Sequence, residues 1–171
     1  MTYRDPMKIA ETLEYDAPVD VVFDMITDPA FQEQKCVDAS ALAHQVSITP
    51  TGDGARVVTH RHLPSDGLPD FARSLVGSRL VITETYEWAG KDAKGARSGT
   101  LVVHVDGAPI TLQARVSLAP SSGSSTLTIV GDLKASVPLI GGRIEAAAAP
   151  SIRYGLESEG RTGQRWLAER A

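Results

Sequence analysis

The segment from Thr100 to Val130, "TLVVHVDGAPITLQARVSLAPSSGSSTLTIV", constrains the fold more than any other part of the chain. Side chains alternate across a strand, so residues two apart share a face. Leu101, Val103 and Val105 precede the turn "DGAP", and Ile110, Leu112, Ala114, Val116 and Leu118 follow it. Pairing Val105 with Ile110 sets Val103 opposite Leu112 and Leu101 opposite Ala114, and antiparallel partners share a face. The next turn, "PSSGSS", sets Leu118 opposite Leu127 and Val116 opposite Ile129. One register therefore puts all of these apolar residues, from three strands, on one side. Thr100, His104, Thr111, Gln113, Arg115, Ser117, Thr126 and Thr128 fall on the other. Such a sheet is wet on one face and needs a cover on the opposite one.

Four further strands join it. "MKIAETLEY" is the first, "HQVSITP" and "RVVTHRHLP" flank the hairpin turn "TGDG", and "RLVITETYEW" carries Leu80, Ile82, Glu84, Tyr86 and Trp88 on one face. Two short helices follow the first strand. "APVDVVFDMITDP" has Pro18 at its start and Val22, Phe23 and Ile26 on one side, and "PAFQEQKCVDA" starts at Pro29 with Phe31 as its anchor. The one segment long enough to cover the sheet runs from about Gly142 to Glu169, about 40 Å as a helix. Its apolar stripe is Ile144, Ala148, Ile152 and Leu156, with Trp166 and Leu167 at the far end. Between these stand small residues: Ala147, Gly155, Gly160 and Gly163. Pro150 removes one backbone hydrogen bond and favours a kink, which follows sheet curvature or opens a pocket. Strands and helices are segregated rather than alternating, so the class is α+β, with seven antiparallel strands curved against a C-terminal helix.

At 171 residues the chain is read as one domain, 1–171. A net charge of -4, spread without a basic stripe, argues against nucleic acid, and no apolar run is long enough for stable membrane insertion. The polar N-terminus lacks the apolar core of a secretory signal, which gives a cytoplasmic expectation. Cys36 is the only cysteine, and it reads as a small buried residue. His60 and His62 share a face, but a metal site needs a third ligand, and His44 is near only in a register that "TGDG" does not fix. A register shifted by one turns Arg61 inward instead. No nucleophile elbow or phosphate loop is present, so neither metal nor cofactor is expected. Glu84 is the one carboxylate on an otherwise apolar inner face. It is a candidate acid or base together with Tyr86, or else it pairs with an arginine such as Arg61 or Arg153.

The segments "APVDVVFDMITDPAF", "TPTGDGARVVTHRHLP", "GLPDFARSLVGSRLVITETYEW" and "SVPLIGGRIEAA" resemble the START-like superfamily, also called SRPBCC or helix-grip, and within it a bacterial family of unknown function. The resemblance implies a seven-stranded sheet gripping the C-terminal helix with a hydrophobic cavity between them. It implies no single activity, because lipid and sterol carriers, hormone receptors and polyketide cyclases or dehydratases share the fold.

The expected occupant is a small hydrophobic molecule, lipid-like or polyketide-like. Its expected contacts are Leu80, Ile82, Glu84, Tyr86 and Trp88, then Leu101, Val103, Ile110, Leu112 and Val116, with Ile144, Ala148 and Ile152 from the helix. The alternatives are a cyclase-like or dehydratase-like enzyme in the same cavity, and a protein-interaction domain with a closed core. "SDGLPDFARSLVG", between two strands, suits a short helix over one end of the cavity, either as a gate or as a connector with Phe71 plugged into the core.

Overall fold

The computed structural model describes residues 4–171. In chain order it runs β1 (Met7–Tyr15), α1 (Val19–Ile26), α2 (Pro29–Asp38), β2 (Ala43–Thr51), β3 (Gly54–Pro64), α3 (Asp70–Val76), β4 (Arg79–Trp88), β5 (Arg97–Val105), β6 (Ile110–Ser121), β7 (Ser124–Ala135) and α4 (Gly141–Glu169). All seven strands form one antiparallel sheet in the order β1-β7-β6-β5-β4-β3-β2. This is the α+β, helix-grip arrangement that the sequence pattern predicts. No helix among the described residues is long and apolar enough to cross a membrane.

The registers follow the alternation. Val103 pairs with Leu112 and Leu101 with Ala114, and across the next turn Leu118 pairs with Leu127 and Val116 with Ile129. Leu101, Leu112, Leu118, Leu127, Ile129 and Leu133 are completely or almost completely buried in the core between the sheet and the helices. At the β2–β3 turn, Gly52 takes a φ of 64°, the conformation glycine adopts without cost. Gly54 serves close approach instead, since a Cβ there would stand 1.9 Å from the Trp88 carbonyl oxygen.

The short helices fill the space beside the sheet. Val22, Phe23, Met25 and Ile26 of α1 are buried, and Pro18 is its N-cap rather than its first helical residue. In α2, Pro29 occupies the first turn and the Asp28 carboxylate accepts from the Ala30 N–H. Phe31 is buried and meets Trp166 of α4 edge-to-face at 5.6 Å. The start of α4 is fixed by Glu145, which accepts from Arg4 and from the Ala135 N–H at 2.9 Å. Helix α4 runs unbroken through Pro150, which is exposed.

Three glycines in the second half of α4 have two different causes. A Cβ on Gly163 would lie 2.4 Å from a ring carbon of buried Tyr15, and one on Gly160 would lie 3.0 Å from Leu13. These two let the helix settle onto β1. Gly155 has no such neighbour, since its Cβ would meet only Arg61 Nη1 at 4.0 Å. Packing does not require it, although glycine weakens a helix interior by about 1 kcal/mol relative to alanine. In urea denaturation, Gly163→Ala is expected to destabilise the fold by about 1–3 kcal/mol through overpacking, and Gly155→Ala to leave it unchanged or stabilise it by up to about 1 kcal/mol. Equal losses at the two positions would contradict this account of how α4 is seated.

Candidate functional site

Between the inner face of the sheet and α4 lies a cluster of four buried charges. Alternation along β4 points Glu84 inward between Ile82 and Tyr86, and the β3–β4 register places Thr59 across from Glu84 and Arg61 across from Ile82. Lys35 lies one helical turn after Phe31, on the buried side of α2. Glu159 lies on the inward stripe of α4, between Leu156 and Gly163. Lys35 Nζ donates to Glu84 Oε1 at 2.6 Å and to Glu159 Oε1 at 3.1 Å. Arg61 Nη2 donates to Glu84 Oε2 at 3.2 Å, and the Tyr86 hydroxyl donates to Glu159 Oε2 at 2.9 Å. All four charged residues are buried, the most exposed being Arg61 at 6%. Two cations and two carboxylates leave the cluster without net charge.

Isolated, these groups would be costly to bury, and each lies against an opposite charge or a hydrogen-bond partner inside the cluster. Burial pushes the Glu84 carboxyl upward, but the charges of Lys35 and Arg61 outweigh it and hold Glu84 below its ordinary range. Burial likewise lowers Lys35, while Glu159 and Glu84 hold it above its ordinary value. Burial, reinforced by Glu159 and Glu84, pushes the Tyr86 hydroxyl well above its usual range. Both Glu84 oxygens are occupied, and its depressed affinity for a proton makes it a weak base.

Arg61 is less completely used. Its Nε is buried with no partner, and Nη1, turned toward Gly155, donates to no group among the described residues. Arg61 lines a cavity of about 50 Å³ together with Leu63, Glu84, Val103, Gly155 and Leu156. A second cavity, also about 50 Å³ and almost wholly apolar, lies toward the start of α4. Its roof is the α3 region, through Leu68, Ala72, Leu75 and Val76. Ile82, Ser151 and Ile152 line both spaces and so form the partition between them. Within α3 only Ala72 is buried, and Phe71 is half-buried under the Arg143 guanidinium at 4.5 Å.

The residues expected at the site fall into three groups. Leu80, Ile82, Ile110, Ile144, Ala148 and Ile152 line the apolar cavity. Ile82, Glu84, Val103 and Ile152 line the one bordered by Arg61. Tyr86, Trp88, Leu101, Leu112 and Val116 are buried in the packed core and line neither. The β2–β3 register pairs His44 with Arg61, so His44 lies on the opposite sheet face from His60 and His62. Among the described residues no three His, Cys, Asp or Glu side chains are grouped to hold a metal ion. Sequence reading missed Lys35 and Glu159, although each is a charge on a helical stripe otherwise made of buried residues.

Comparison with known proteins is consistent with this architecture. The family described as protein of unknown function DUF2505 matches residues 10–167. No curated protein matches the chain. Among solved structures, a STAR-related lipid transfer protein of Xanthomonas axonopodis is 12% identical, with 94% of this chain and 85% of that one covered at a TM-score of 0.61. The Zhui aromatase/cyclase of Streptomyces sp. R1128 is 10% identical, with 94% and 95% covered at 0.56. The human StarD13 lipid transfer and protein localization domain is 12% identical, with 93% and 77% covered at 0.58. At these identities the likeness is one of fold.

The pairing sets the pH dependence of stability. Glu84 is depressed in the folded state, so its contribution is present above its ordinary value of 4.5 and is lost as pH falls through the lower folded value. Lys35 is raised, so its contribution is present below 10.5 and is lost as pH rises through the higher folded value. Glu84→Gln, which leaves Arg61 without its carboxylate, is expected to cost about 3–5 kcal/mol near neutral pH and to weaken the acid limb of the stability curve. A loss below about 1 kcal/mol, measured by denaturation across pH, would contradict the pairing.

Proposed function

The chain belongs to the DUF2505 family on a helix-grip fold, and from that premise we propose that it binds a small, mainly apolar molecule between the sheet and α4. The observation that carries this reading is the pair of adjoining cavities, one apolar beneath α3 and one mainly apolar but bordered by Arg61 and Glu84, which share Ile82, Ser151 and Ile152 in their walls. Each is about 50 Å³, whereas small-molecule sites usually measure about 300–1,000 Å³, so binding requires expansion. Helix α3 is the element suited to yield, because it buries one residue of its own. The likeness to lipid transfer domains and to an aromatase/cyclase supports an apolar occupant. The acid–base alternative at Glu84 and Tyr86 has less support, since both side chains are committed to partners inside the cluster.

The test fills the space. The neutral fluorophore N-phenylnaphthylamine is expected to bind the parent protein and to slow amide exchange in α3. Ala148→Phe places a ring in the apolar cavity, and it is expected to abolish both effects while leaving the melt close to that of the parent. A parent that binds no probe, together with a variant that loses about 1–3 kcal/mol or more, would identify a packed core and overturn the proposal.

A further inference from the structure

We propose that the selected molecules end in an uncharged hydrogen-bond acceptor, an ester or ketone carbonyl or a hydroxyl, and that Arg61 receives it. This rests on the apolar-ligand reading above and names the chemistry of its polar end. Three observations lead to it.

The first is the unused donor capacity of Arg61. A guanidinium carries five N–H groups, and here Nη2 bonds Glu84 while Nε, fully buried, bonds nothing. A buried donor without a partner is costly to leave unmade, so an acceptor arriving beside it gains more than one arriving in water. The second is the space beside it. Gly155 is the α4 glycine that no close contact demands, and its missing side chain leaves open the volume next to Nη1. That volume is part of the cavity bordered by Arg61 and Glu84, which adjoins the one beneath α3 through Ile82, Ser151 and Ile152.

The third is the charge balance. Lys35 and Arg61 are matched by Glu84 and Glu159, so the cluster is already neutral. A carboxylate or phosphate on Arg61 would add a third anion beside Glu84, whose Oε2 lies 3.2 Å from the same guanidinium. A cationic end would face the guanidinium itself. An uncharged acceptor satisfies the free donors and leaves the balance intact.

The test uses the intact protein with bound N-phenylnaphthylamine, displaced in turn by methyl octanoate, octanol and, at neutral pH, octanoate. Methyl octanoate and octanol are expected to displace the probe at concentrations about tenfold or more below that of octanoate. Arg61→Met is expected to weaken methyl octanoate by about tenfold while changing affinity for the fluorophore by less than about threefold. Gly155→Val, which covers the guanidinium while keeping all four charges of the cluster, is expected to give the same signature if Arg61→Met does not fold. Octanoate binding as tightly as its ester, or ester affinity unchanged in the folded variants, would overturn the head-group assignment while apolar binding stands. Failure of the parent to bind the fluorophore at all would remove the ligand reading itself and this inference with it.

Discussion

Four charges buried beneath a helix impose the strongest single constraint on this molecule. Lys35, Arg61, Glu84 and Glu159 come from α2, β3, β4 and α4, and each is tolerable in the interior only while the others are present. The network therefore does more than pair charges. It sets the position of α2 against the sheet and the rotation of α4 about its own axis, because a turn of either helix would leave a carboxylate or an ammonium buried alone. The Phe31–Trp166 contact and the bonds from Thr162 and Arg165 to Asp38 fasten the same two helices from the outer side.

The cluster also divides the space under α4. On the β1 side, Gly160 and Gly163 draw the helix down until its backbone meets Leu13 and Tyr15. Toward the start of α4 the helix presents Ile144, Ala148 and Ile152, small or slender groups against a broad apolar sheet, with a lightly held α3 as roof. Tight seating at one end and incomplete filling at the other are properties of one helix. The boundary between them falls where Arg61 and Gly155 meet.

Much of this was legible in the sequence because strand alternation is a local property. The parity of Leu101, Val103, Ile110, Leu112, Val116, Leu127 and Ile129 fixes three strands without knowledge of anything distant, and the length of the last helix leaves no other cover for the sheet. The charge cluster was less legible because its members are far apart, Lys35 and Glu159 being 124 residues distant. Glu84 stands out by interrupting an apolar face, and Arg61 is one possible partner for it and the inward residue of one register. Lys35 gave a quieter signal, since it shares a helical face with Phe31 and Cys36, as Glu159 does with Leu156 and Gly163. The orientation of β3 was open until pairing set His44 opposite Arg61, because a slip of one residue exchanges the two faces.

Buried charge holds α2 and α4 together. A double-mutant cycle between Lys35→Met and Glu159→Gln, followed by urea denaturation at neutral pH, measures it most directly. The expected coupling energy is above about 1.5 kcal/mol, with the double variant less destabilised than the sum of the two single ones. Additivity within about 0.5 kcal/mol would contradict it, because the two residues would then be buried side by side without depending on each other.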